Sequence, residues 1–168
     1  YTFIFISISF LSVIPNSITE LFYAKFFDLK RNNTESLRLI KKSSFILFII
    51  STISTLIVLF SVNFFIGTFF PKYIDIIGEI KFALLYVIPT SLISVFQYYI
   101  ISFKKDRSII LINIIAFVIF YSIFFLAIFF QPNLNLYDFI SIRIIHIWLY
   151  FFLTLFMLFK TISIYKNE

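Results

Sequence analysis

At 168 residues, 61% hydrophobic, 23% aromatic and only 13% charged, the chain lacks the polar material to coat a water-exposed domain, which ordinarily carries about 25% charged residues. It has no cysteine and one histidine, which excludes a disulfide framework, a thiol nucleophile and a Cys-based or polyhistidine metal site. The net charge of +6, in so apolar a chain, belongs to loops that flank membrane spans and does not point to a nucleic-acid partner.

About 20 apolar residues of helix cross a hydrocarbon core about 30 Å thick. By that measure the sequence predicts an all-α, polytopic transmembrane helix bundle of about five spans, over residues 1–27, 43–70, 82–103, 108–130 and 138–160. The runs are apolar all round and do not alternate, which argues against a lipid-embedded barrel.

The first span opens at Tyr1 inside an apolar run, with no charged segment before it as a signal peptide would have, and reads as the start of the C-terminal portion of a longer protein. Ser9, Ser12, Asn16, Thr19 and Tyr23 recur at spacings of three and four and form one polar stripe. Pro15, which cannot donate to the carbonyl four residues before it, predicts a kink in the middle of that stripe. Such a face lines a cavity, or its hydroxyls bond back to their own helix or hold a neighbouring one. Glu20, near the end of the span, is a candidate pathway carboxylate, or else pairs with Lys25 at the interface.

After the second span, residues 72–80 place Ile74, Ile77 and Ile80 on one helical face and predict a short interfacial helix. The third span repeats the proline device: Pro89 precedes Thr90, Ser94 and Gln97 on one face, with a second kink expected. The fourth ends at the turn-forming Gln131-Pro132-Asn133. The fifth carries Arg143, His146, Tyr150, Thr154 and Thr161 at spacings of three, four or seven. A charge inside a membrane is costly, so Arg143 and His146 are candidates to hold a phosphate or sugar hydroxyls. Alternatively Arg143 snorkels to the headgroups or pairs with Asp138, and His146 is an interhelical donor.

Eleven basic residues lie on one side of the membrane: six between Glu20 and Lys42, then Lys104, Lys105 and Arg107, then Lys160 and Lys166. Lys72 and Lys81 alone lie on the other. The positive-inside rule puts the C-terminus in the cytoplasm. No paired carboxylates, glycine-rich phosphate loop or serine–base–acid set occurs, so neither an enzyme nor a cofactor is expected.

Three stretches carry a resemblance: "FLSVIPNSITELFYAKF" (10–26), "NFFIGTFFPKY" (63–73) and "ALLYVIPTSLISVFQYYIISFKKDRSIILINII" (83–115), in which Asn113 follows a proline-bearing span and a basic turn. In this order the chain resembles the C-terminal half of bacterial O-antigen and polysaccharide-biosynthesis flippases, of the multidrug/oligosaccharidyl-lipid/polysaccharide exporter superfamily. The resemblance implies the last five of twelve helices, with the N-terminal half of the same protein as partner. It also implies a lipid-linked oligosaccharide and membrane lipids as ligands, and a bacterial cytoplasmic (inner) membrane location. Residues 131–142, "QPNLNLYDFISI", depart from the Gly/Ala-rich segment that many members carry there. A membrane-embedded glycan polymerase or ligase, and a drug or ion exporter of the same superfamily, are the alternatives. The short external loops weigh against the first, and the lack of an intramembrane carboxylate beyond Glu20 weighs against the second.

Overall fold

A computed structural model describes residues 2–29, 33–103, 105–131 and 133–166, with the side chains of residues 2–12, 14, 33, 165 and 166 outside that description. Tyr1, Lys30, Arg31, Lys104 and Pro132, and the side chains of Ser9, Ser12 and Lys166, all used above, therefore lie outside the description. No strand occurs among the residues that are described.

The helices are α1 (Thr2–Asp28), α2 (Asn33–Phe69), α3 (Ile77–Ala83), α4 (Val87–Ser102), α5 (Asp106–Phe130) and α6 (Leu136–Lys166). Among the described residues, four helical segments are long and apolar enough to cross a membrane: Thr34–Phe69, Pro71–Ser102, Asp106–Phe130 and Leu136–Ile164. The remaining helix, α1, has 27 residues, which suffices by length. In hydrocarbon no water meets an open N–H or C=O, so a long apolar run satisfies its backbone internally and stays helical despite its β-branched and aromatic content.

Two boundaries differ from those read in the sequence. α2 begins at Asn33, ten residues before the expected start at 43. The charges of this stub do not end the helix because they occupy one side. Arg38, Lys41 and Lys42 are exposed, while Ser36, Ile40 and Ser43 are buried. At about 1.5 Å per residue the 37-residue helix is about 55 Å long, so its charged end stands clear of the core. The interfacial helix expected over 72–80 is also not a single α-helix. Pro71–Ile76 is a 3-10 turn, and α-helical geometry begins only at Ile77. Phe70, at φ −137° and ψ 54°, breaks the chain, and Pro71 starts the turn where no N–H is needed. In consequence Ile74 is exposed while Ile80 is buried.

Pro15 does not interrupt α1, which runs through it, and Thr19 Oγ1 donates to the Pro15 carbonyl at 2.8 Å. At the second proline the helix tightens. Leu84–Tyr86, which holds the Leu85 carbonyl that Pro89 cannot serve, is a 3-10 turn between α3 and α4. Thr90 Oγ1 donates to the Tyr86 and Val87 carbonyls at 2.9 and 2.8 Å, in the turn beside that irregularity.

α4 is the central helix, packed against α1, α2 and α6 and more lightly against α5. Two apolar clusters stack along it. One, at the end rich in basic residues, gathers Phe26, Ile40, Leu47, Phe96, Tyr99 and Leu158. The other gathers Val62, Ile66, Ile80, Val87, Ile140 and Ile144 at the opposite end. Each cluster joins the start of some helices to the end of others, the signature of an up-and-down bundle. α2 meets its neighbours through buried Ser36, Ser43, Ser51 and Thr55. Ser43 and Ser51 donate back to Ile40 and Leu47 carbonyls, so the stripe presents small surfaces that let helices approach closely.

Candidate functional site

The polar groups of the last two helices converge. α5 and α6 pack against each other and leave a cleft of about 370 Å³. Asn113, Ala116, Phe117, Phe120 and Tyr121 line it from α5, and Arg143, His146 and Tyr150 from α6. Spacings of three and four put each set on one face of its helix. Arg143 lies seven residues into α6 and Tyr150 fourteen, about 10 and 21 Å from its start, so the cleft lies at the depth of the hydrocarbon core.

Phe120 sits at the centre of the site. The Arg143 guanidinium carbon is 5.7 Å from its ring centroid, a cation–π distance, and the His146 ring is 4.9 Å from it. His146 also lies nearly parallel to Tyr150, at 6.3 Å and 11°. The Tyr150 hydroxyl donates to Asn113 Oδ1 and accepts from Gln97 Nε2, which ties α6 to α5 and α4 at one oxygen. The arrangement offers one permanent cation, an imidazole, an amide and a phenol beside two exposed aromatic faces, Phe117 and Tyr121. That set suits an anionic or hydroxyl-rich ligand. Among the described residues no group of His, Cys, Asp and Glu could hold a metal ion.

Of the residues singled out in the sequence, Arg143, His146 and Tyr150 share the cleft, and Gln97 reaches it through Tyr150. Asn16 and Glu20 do not join them. Both are exposed on α1, which packs on α2 and α4. Pro15 and Pro89 are buried helix-packing positions. Thr19, Ser94, Thr154 and Thr161 each donate to a carbonyl of their own helix, the ordinary behaviour of a membrane-embedded hydroxyl. Asp138 accepts from Gln131 Nε2 and from the Asn135 backbone N–H, both at 3.1 Å. Asn135 Oδ1 in turn accepts from the Asp138 N–H at 2.9 Å. This reciprocal cap starts α6, the helix that carries Arg143. In the sequence, the resemblance alone singles out Asn113. Its signal was nonetheless present, because it is the one amide in the apolar run 108–130.

Long apolar helices around a polar mid-depth cleft define a polytopic helical membrane protein. No family model, curated protein or solved structure matches the chain.

Proposed function

We propose that this protein moves a lipid-linked oligosaccharide across a bacterial cytoplasmic membrane for surface polysaccharide or O-antigen synthesis. It does so by alternating access, with the C-terminus in the cytoplasm and a second bundle of the same protein facing the cleft. The observation that carries this reading is the meeting of Arg143, His146, Tyr150 and Asn113 in one cleft at mid-depth. Burying a guanidinium at that depth is expensive and is spent where an anion or a proton passes. The guanidinium suits a phosphate or an acidic sugar, the aromatic faces suit a pyranose ring, and the apolar outer surface leaves the lipid tail in the bilayer.

Deleting the gene tests the reading. Surface glycan should fall while its lipid-linked precursor accumulates on the cytoplasmic leaflet, and the full gene should restore both. Loss of glycan without accumulated precursor would place the defect in synthesis and overturn the proposal.

A further inference from the structure

A second crevice lies away from the cleft, on the side where α2 and α6 face each other. Both helices pack on α4 but touch each other only slightly, so a groove of about 430 Å³ remains between them. Its floor is buried, with Leu92 at 8% exposure, Phe96 at 5% and Leu158 at 5%, while Phe45 and Phe159 stand as walls at 65% and 63%. From Lys41 to Phe48 it descends about 10 Å along α2, a depth within one leaflet. Its lining is apolar except at the mouth. There Lys41 and Ser44 form the rim, and Arg38 and Lys42 stand exposed on the same stub of α2. Ser44 Oγ donates to the Ile40 carbonyl at 2.7 Å, which leaves its lone pairs to accept from a ligand hydroxyl.

We infer that this groove is a binding site for one anionic phospholipid, its acyl chain lying over Leu92 and Phe96 and its headgroup phosphate held by Lys41. An apolar furrow open to the bilayer is filled by hydrocarbon, and the charge at its mouth selects the head. Basic pockets between membrane helices recognise anionic lipid in this way. The inference does not depend on what the protein transports.

The test uses the full chain in nanodiscs of mixed phosphatidylglycerol and phosphatidylcholine, followed by detergent extraction and mass spectrometry of the lipid retained. Phosphatidylglycerol should be retained over phosphatidylcholine, and Lys41→Gln should lower that preference about fivefold, the attraction of one basic residue for an anionic surface. Ser44→Trp, which fills the groove, should remove the retained lipid of either kind. Lys72→Gln, at the opposite end of the bundle, should change nothing. Equal retention of the two lipids, or a preference that survives Lys41→Gln, would reduce the groove to ordinary annular contact and overturn the proposal. So would efficient disulfide formation between two copies of a Phe159→Cys variant, because a second chain would then occupy the groove.

Discussion

The Tyr150 hydroxyl stands between two amides, accepting from Gln97 on α4 and donating to Asn113 on α5. One oxygen thereby links three helices. An interhelical hydrogen bond in a membrane protein is worth about 0.6 kcal/mol on average, so Tyr150→Phe should cost about 1 kcal/mol. Equilibrium unfolding in detergent measures it. A double-mutant cycle with Gln97→Leu should return a coupling near the average for one bond, whereas additive losses would show that the two side chains do not interact.

Arg143 decides between the transport and structural roles of the cleft. Arg143→Ala should abolish glycan export, and Arg143→Lys should restore only part of it, because an ammonium lacks the planar fork that grips phosphate. Protein abundance in the membrane should be unchanged in both. Normal export in the lysine variant, or loss of the alanine variant from the membrane, would favour snorkelling to the headgroups. Surface glycan and protein level are therefore assayed side by side.

The split of basic residues, eleven against two, predicts a cytoplasmic C-terminus. Single cysteines at Asn33 and Lys105 should stay shielded from an impermeant thiol reagent in intact cells, and one at Asn133 should label. Labelling at Lys105 from outside would invert the topology.

The cap of α6 is also measurable. Asn135→Ala removes the acceptor for the Asp138 N–H and should destabilise the start of the helix by about 1 kcal/mol. Amide hydrogen exchange over residues 136–139 should accelerate, with little change around Tyr150. Unaltered exchange there would show that the cap does not hold the helix end.

How far the fold was readable depends on which physical demand shaped each element. The long apolar runs, α5 above all, follow from lipid as the solvent, and composition alone locates them within a few residues. The stub of α2 is hidden in the sequence because its charges resemble a loop. Only packing shows that Ser36, Ile40 and Ser43 give it a buried side. Residues 72–76 carry spacing that suits an α-helix, but Pro71 and the break at Phe70 impose a 3-10 turn. In the site, Arg143, His146 and Tyr150 were visible as one face of one helix. Their partners were not, because nothing local says which face of α5 meets α6, or that Asn113 reaches Tyr150 across 37 residues. Asn16 and Glu20 fit the same spacing rule on α1, yet stand on a helix that packs elsewhere.

The central position of α4 bears on how the protein is made. Ribosomes deliver α1 and α2 to the bilayer before the helix that both pack against has been synthesised. Until Ser102 has emerged, the hydroxyls along α2 and the ring of Phe26 face lipid or whatever insertase holds the nascent chain. α1 and α2 can meet each other at that stage, but the larger packing surface of each is on α4. A chain arrested after Phe69 should stay bound to the insertion machinery, whereas one arrested beyond Phe130 should leave it.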